Sequence, residues 1–355
     1  MASEPCFDTV LGISSMRYIG GKSLLLDKIN GVVSNCSKSI ETVVDLFSGS
    51  GVVATNFKKQ GYRVFANDAL RFSYAIIRGT LPLNKPPIFL GLGFNPFDCL
   101  NNLTIDYDAV AESRSFILRN YSPYGDCSRM YFQCDNALRL DYARVAIEQW
   151  RCEEKITEDE YYYLLCSLIL ATPSISNITG TYGAYLKHWD SRTYNPLRLE
   201  PPTIIDNGAE NIVYCRDANE LAKTIQADLA YIDPPYNGRQ YLPNYHILET
   251  LARYDYPIIK GVTGMREYSK EKSIYCNRIK ALAGFDDLFS KLDVRYILVS
   301  YNTEGLITKE EMSELLKKHG KAKTFQLFEF DYRRYKNKIP NNTEGLKELL
   351  FFIER

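Results

Sequence analysis

The residues best equipped for chemistry are Asp233-Pro234-Pro235-Tyr236, which close the apolar run Leu229-Ala230-Tyr231-Ile232. That run suits a buried parallel strand, and open α/β sheets place ligands beyond the carboxyl ends of such strands. The two prolines fix φ and carry no N–H, so they stiffen the exit and leave the Pro234 carbonyl free to accept a hydrogen bond. Tyr236 adds a flat aromatic face beside the carboxylate. A carboxylate, a rigid carbonyl and a stacking ring together can hold the amino group of a planar base. The plainer alternative is a strand with a proline turn, in which Asp233 is a turn residue. The weight of the motif therefore depends on a second ligand site elsewhere.

Residues 42–51, Thr-Val-Val-Asp-Leu-Phe-Ser-Gly-Ser-Gly, supply one. Thr42 to Val44 read as a strand ended by Asp45, and Gly49 and Gly51 permit a tight turn where a ligand meets the backbone. The pattern predicts a helix over 52–60 with Gly61 as its stop, then a second strand over 62–66. Asp68 follows that strand, placed to hold ribose hydroxyls. Residues 49–54 also fit the dinucleotide fingerprint G-x-G-x-x-[GA], and the spacing to Asp68 suits either kind of cofactor. Asp45 separates them. A carboxylate beside the loop would repel a pyrophosphate but could hold a cationic amino-acid group, which favours S-adenosylmethionine, a methyl donor without phosphate.

With these residues in view, the sequence resembles the Dam-like adenine-specific DNA methyltransferases. Arg17-Tyr18-Ile19-Gly20-Gly21-Lys22, followed by Leu24-Leu25, is similar to the family's amino-terminal cofactor motif. The resemblance implies that Tyr18, Gly20 and Lys22 contact cofactor or target, and that Asp45, Phe47, Gly49, Gly51 and Asp68 line the cofactor site. Gly20-Gly21-Lys22-Ser23 is not the end of a phosphate loop, because Met16 stands where that loop needs a glycine. Asp217-Ala218, after the strand candidate Ile212 to Cys215, resembles the third cofactor motif, although Arg216 replaces its usual glycine. Tyr245-His246, a strand candidate over 296–301 ending at Asn302, and a closing hairpin built from 330–335 and 349–353 extend the likeness to the C-terminus.

What the resemblance implies is an α/β, Rossmann-like, S-adenosylmethionine-dependent methyltransferase sheet. Residues 1–78 and 206–355 would form the catalytic domain, and 79–205 an inserted, largely helical target-recognition subdomain carrying a hairpin or loop. Residues 177–189, continuing through Arg192 to Arg198, mix small, polar, aromatic and basic side chains suited to probing a groove and contacting phosphates. Tyr182, Lys187, His188 and Arg192, with Arg333 and Arg334, are the expected DNA contacts. A surface loop with ordinary solvated charges is the rival for that segment. The implied reaction moves a methyl group onto N6 of an adenine flipped out of double-stranded DNA. Asp233 and the Pro234 carbonyl would hold the amino group and localise its lone pair, Pro235 would stiffen the turn, and Tyr236 would stack on the base.

Rival functions differ at single positions. N4-cytosine enzymes typically carry Ser in place of Asp233, and RNA methyltransferases usually begin the tetrapeptide with Asn. A catalytically silent DNA-binding module would have no need of the complete motif. A solitary enzyme and one paired with a separate restriction endonuclease would look alike in sequence.

Composition sets outer bounds. The chain has 355 residues and 45% hydrophobic content, enough for one sizeable α/β core plus an insertion. Lys and Arg total 43, as do Asp and Glu, so any DNA contact must come from a local basic face. The nine cysteines include no Cys-x-x-Cys pair, and His188, His246 and His319 are far apart, so no metal site is expected. Reduced cysteines, the lack of a secretory signal and an apolar run over 161–171 too short to span a bilayer suggest a cytoplasmic protein.

Overall fold

The computed structural model describes residues 18–36, 39–104, 106–107, 115–124, 126–331 and 346–355. Nine strands are present among them: β1 Thr42–Asp45, β2 Arg63–Asn67, β3 Ile212–Tyr214, β4 Gln226–Ile232, β5 Ile259–Lys260, β6 Met265–Arg266, β7 Asp293–Asn302, β8 Gln326–Asp331 and β9 Lys347–Glu354. Seven form one sheet in the order β3-β2-β1-β4-β7-β9-β8, and β5 pairs with β6 in a separate antiparallel ribbon. β3, β2, β1, β4 and β7 run parallel, whereas β9 is antiparallel to both β7 and β8. This mixed α/β sheet has the form of a Rossmann-like methyltransferase.

The strands are apolar because both sheet faces are covered. Helices α1 Leu26–Cys36 and α2 Val52–Lys59 lie on one face, where Ile29, Val53 and Phe57 pack with Val43, Leu229 and Leu298. The later helices α10 Arg278–Lys291 and α11 Lys309–His319 cover the other face, where Phe285, Leu288 and Leu316 meet Ala230, Ile297 and Phe351. Strand order reverses between β1 and β4, so the crevice beyond their carboxyl ends is the place for a ligand. Asp45 ends β1 and Asp233 follows β4.

Between these halves lie α3 Arg71–Arg78, α4 Pro96–Asn101, α5 Phe116–Tyr121, α6 Cys134–Cys152, α7 Glu158–Ala171, the short α8 Ala218–Leu221 and α9 Tyr241–Arg253. A capping box between Thr157 and Glu160 starts α7 where the pattern predicted a helix. The helical segment has a buried cluster distinct from the two that flank the sheet, and α3 and α9 join it: Leu138 and Leu140 of α6 and Leu164 and Leu168 of α7 pack with Phe72, Ala75, Leu248 and Leu251.

The described residues of 79–205 contain helices and loops without a strand. The expected hairpin or loop at 177–189 is a loop pinned by Asn177. The Asn177 carbonyl accepts from Leu186 N at 2.9 Å, its amide donates to Leu186 O at 3.0 Å, and its side-chain oxygen accepts from Asp190 N at 3.0 Å. β8 and β9 pair antiparallel at the place of the expected closing hairpin, of which residues 332–335 lie outside the described residues. No helix among the described residues is long and apolar enough to cross a membrane.

Candidate active site

The exits of β1, β2 and β4 surround a cavity of about 320 Å³. Tyr18, Gly20, Lys22, Asp45, Phe47, Gly49, Asp68, Asp217, Ala218 and Asp233 all line it, although they come from five separate stretches of chain. Gly51 is set back: it stands at the N-cap of α2 with φ +82°, where a Cβ would meet Ile77 at 3.0 Å. Its part is to turn the chain into the helix.

Gly49 has the more exposed duty. Its φ is +55°, and a Cβ there would lie 2.7 Å from Tyr18 Cε1. Absence of a side chain lets the Tyr18 ring settle on the loop. That ring stacks on Tyr245 with centroids 5.1 Å apart and planes 9° from parallel, and the Tyr245 hydroxyl accepts from Ile19 N at 2.7 Å. The amino-terminal motif is thus fastened to α9, which breaks its helical geometry at Tyr245.

Asp68 receives Gly49 N and Leu70 N, both at 2.8 Å, so it braces the glycine loop as well as facing the cavity. Burial raises its proton affinity to about 7 in spite of those two donors. Asp45 is 1% exposed and one of its carboxylate oxygens has no hydrogen-bond partner. Burial and then the charge of Asp233 push it up to about 8. A buried carboxylate held this way is poised for a cationic ligand group, which would restore its charge. Asp217 caps α8 by accepting from Asn219 N and Glu220 N, and Phe47 stands edge-on to Tyr275 with centroids 5.1 Å apart.

At the opposite wall Lys22 Nζ meets Asp233 Oδ1 at 3.0 Å and donates to the Gly20 carbonyl at 3.1 Å. Burial works against the ammonium, but Asp233 and Glu348 outweigh it and hold Lys22 above its ordinary range. Burial raises Asp233, opposed by the charge of Lys22. Tyr236 lies beside them, its ring centroid 5.9 Å from Lys22 Nζ. Its carbonyl accepts from Leu306 N at 2.7 Å, which fixes the turn after Pro235. Asp233 and Pro235 line the cavity and Pro234 is buried behind them. One cavity thus offers an unsatisfied acid at one wall and a lysine-paired acid with an aromatic ring at the other. It can hold two reactants side by side.

Several residues that position this site carry no motif. Asn67 is 1% exposed and ties three strand exits together, donating to Leu46 O and Arg216 O and accepting from Arg216 N. Glu249 of α9, fully buried, accepts from Arg71 N and Phe72 N and so anchors α3 directly after Asp68. The polar residue ending β2 was the available hint for Asn67, while Glu249 looks in sequence like one more helix-surface acid.

The expected DNA contacts fare unequally. Lys187 and His188 are exposed on the 177–190 loop. Arg192 is half-buried and partly committed within that loop, bonded to the Ile178 carbonyl and to Asp190. Tyr182 is a correction. It is 1% exposed, its hydroxyl is 2.9 Å from Ser176 Oγ, and its carbonyl lies 2.9 Å from the buried His246 Nε2. Its large ring anchors the loop from below and presents no surface to a groove. Arg333 and Arg334 lie outside the described residues. No cluster of three or more His, Cys, Asp or Glu arranged for a metal occurs among the described residues.

Comparison with known proteins agrees with this geometry. The family model for D12 class N6 adenine-specific DNA methyltransferases matches residues 18–315. The chain is 44% identical over 345 residues to the Type II methyltransferase M.FokI of Planomicrobium okeanokoites, covering 96% of this chain and 53% of that protein. It is 42% identical over 345 residues to the modification methylase StsI of Streptococcus sanguinis, covering 96% and 52%. It therefore spans about half the length of these two relatives. Against the Type II methyltransferase M.NlaIII of Neisseria lactamica it is 35% identical over 324 residues, covering 90% of this chain and 92% of that protein. Family model, near full-length relatives and sheet order agree that the chain belongs to the D12 class N6 adenine-specific DNA methyltransferases.

Proposed function

We propose that this chain transfers a methyl group from S-adenosylmethionine to the exocyclic N6 of adenine in double-stranded DNA. The observation that carries the reading is the meeting of Asp233 and Lys22 at one wall of the cavity whose other wall holds Asp45 and Asp68. The donor fits the residues present. Asp45 has a buried oxygen without a partner, suited to the donor's ammonium group. Asp68 keeps lone pairs for ribose hydroxyls beside its two backbone bonds, and Phe47 with Tyr275 gives an apolar flank. S-adenosylmethionine, when bound, supplies an electrophilic sulfonium methyl.

The amino nitrogen of adenine is a poor nucleophile because its lone pair is delocalised into the ring. Asp233 and the Pro234 carbonyl accept its two N–H bonds and favour the pyramidal form that localises the pair. The charge of Lys22 opposes the burial that raises Asp233 and so favours its ionised form. Once the nitrogen has gained a methyl group, its excess proton passes to Asp233. The base must leave the duplex to reach this depth, and Tyr236 stacks on it. Lys187, His188, Arg192, Arg333 and Arg334 are assigned to DNA contact. Modification in the company of a separate restriction endonuclease, in the cytoplasm, is the role we assign, and the name of one relative, modification methylase StsI, supports the modification part of it.

The test is to incubate the protein with methyl-labelled S-adenosylmethionine and genomic DNA free of adenine methylation, then digest the DNA to nucleosides. Label in N6-methyl-2′-deoxyadenosine is expected. Label in N4-methylcytosine would overturn the base assignment. Cofactor binding with no label in DNA would overturn the activity.

A further inference from the structure

The turn that joins β5 to β6, Gly261-Val262-Thr263-Gly264, lies outside the 79–205 segment and outside the cavity lining. Each of its four carbonyls meets a donor on a buried side chain from α5 or the segment before α6. Arg129 donates through Nη2 to Gly261 O and through Nε to Val262 O, both at 3.0 Å, and through Nη1 to Asn120 O at 2.8 Å. The Tyr121 hydroxyl donates to Gly264 O at 2.9 Å, and Tyr131 Oη lies 3.2 Å from Thr263 O. Tyr121 and Tyr131 are fully buried, and Arg129 is 5% exposed. Gly264 permits the close approach: at its φ of +68° a Cβ would lie 2.9 Å from the Tyr121 ring and 3.0 Å from Arg129 Nε.

A turn that served packing alone would point its apolar side chain inward. Here the backbone faces the core, while Val262 is 79% exposed and Lys260, which ends β5, is exposed as well. Lone exposed apolar side chains are ordinary. One carried on a turn fixed at all four carbonyls is preorganised for contact, because little conformational freedom is lost when it meets a partner. Its neighbours identify that partner. Tyr131 Oη is also 2.8 Å from the Tyr182 carbonyl, so one hydroxyl joins the turn to the loop that carries Lys187 and His188. Beyond β6 the chain runs on to Lys270 and Lys272, exposed cations at the rim of the cavity. The turn is thus joined to the expected DNA-contact loop by a shared hydroxyl and to the cavity by continuous chain.

We propose that the β5–β6 turn is a second DNA-reading element, in which Val262 makes apolar contact with a base edge in the major groove and Lys260 neutralises a backbone phosphate. This rests on the reading of double-stranded DNA as the methyl acceptor. The major groove admits a two-stranded β-ribbon, and the thymine methyl group is the base-edge feature there that an aliphatic side chain reads. A lysine contact to phosphate fixes register and carries no sequence information. The carbonyls of the turn are committed to Arg129, Tyr121 and Tyr131, so its side chains do the reading. The recognised site therefore includes at least one base pair read from outside the 79–205 segment.

The experiment compares the native chain with Val262→Ser on genomic DNA free of adenine methylation, at saturating S-adenosylmethionine, with the methylated adenines mapped by sequencing. Preference should relax by about 10-fold at one base pair of the recognised site and stay unchanged at the others, with Tm and cofactor Kd unaltered. Identical preferences at every base pair would overturn the proposal, and a merely structural turn would leave them so. A uniform loss of rate with preferences intact would overturn it as well. Lys260→Ala should lower the slope of log DNA affinity against log salt concentration by about one; an unchanged slope would overturn the phosphate contact. That binding measurement needs no methyl transfer. Should the native chain methylate no DNA, the methylation reading falls, while the salt slope still decides whether the turn meets DNA.

Discussion

Lys22 and Asp233 meet at 3.0 Å across a buried wall, although one closes the chain's first motif and the other follows its fourth strand. The side chain of Lys22 is 3% exposed, so the pair is hardly screened by water. Removing one member of a buried pair leaves the other uncompensated, at a cost of about 3–5 kcal/mol. Lys22→Met should therefore cost stability and push Asp233 further toward its protonated form. The expected outcome is methyl transfer slowed by roughly 100-fold near neutral pH, with partial recovery as pH rises and Asp233 ionises. A pH–rate profile checks this. A rate loss that does not change with pH would place Lys22 elsewhere in the reaction.

Gly49→Ala tests the seat of Tyr18. The new Cβ would fall 2.7 Å from the Tyr18 ring at a φ of +55°. Backbone strain and the displaced ring together should cost about 1–3 kcal/mol, felt chiefly as weaker cofactor binding. Titration calorimetry should show a Kd raised by about 10-fold or more, with DNA affinity little altered. An unchanged cofactor Kd would mean that the ring can move without consequence.

The buried acids give the ligand-free protein an unusual response to pH. Asp45 stands at about 8, and Asp68, Asp141 and Glu348 at about 7, all raised chiefly by burial. A carboxyl group with a raised folded-state pKa stabilises the fold below its unfolded pKa, and that contribution is lost as pH rises through the folded value. His246 acts in the opposite direction. Burial lowers it to about 4, so its contribution is present above its unfolded pKa and is lost as pH falls through the folded value. The Tm of the ligand-free protein should accordingly be highest near about pH 4, decline as pH rises from there, and level off above about pH 8. A Tm that climbs steadily between pH 6 and 9 would contradict the assignment of these buried acids.

Lys187 and Tyr182 lie five positions apart on one loop and should behave differently. Lys187→Ala removes an exposed cation and should reduce the dependence of DNA affinity on salt by about one charge. Tyr182→Phe removes a buried hydroxyl bonded to Ser176 and should cost about 1 kcal/mol of stability with DNA affinity retained. Filter binding across a salt series, together with thermal melts, separates the two.

Much of the frame was legible because the chemistry of this fold is concentrated at strand exits. Asp45, Asp68 and Asp233 each follow an apolar run, and period and turn residues locate such runs well. The observed β1, β2 and α2 lie within a residue or two of the sequence reading, and β4 begins three residues before the run read at 229–232. What escaped depends on pairing between distant segments. Glu348 looks like a polar boundary residue before an apolar strand; only the antiparallel placement of β9 beside β7 brings it, buried, to the sheet edge where β1 and β4 end. The aromatic character of Tyr182 suggested a surface probe, but His246 of α9 and Tyr131, just before α6, meet its carbonyl and it is 1% exposed.

The most direct test of the account compares the native chain with Asp233→Ala for methyl transfer to unmethylated DNA, with cofactor binding measured on both. The account predicts label in N6-methyl-2′-deoxyadenosine from the native chain and a loss of at least about 100-fold in the folded, cofactor-competent variant. Near-normal transfer by Asp233→Ala would contradict it, because the amino group would then be activated somewhere other than the wall that Asp233 shares with Lys22.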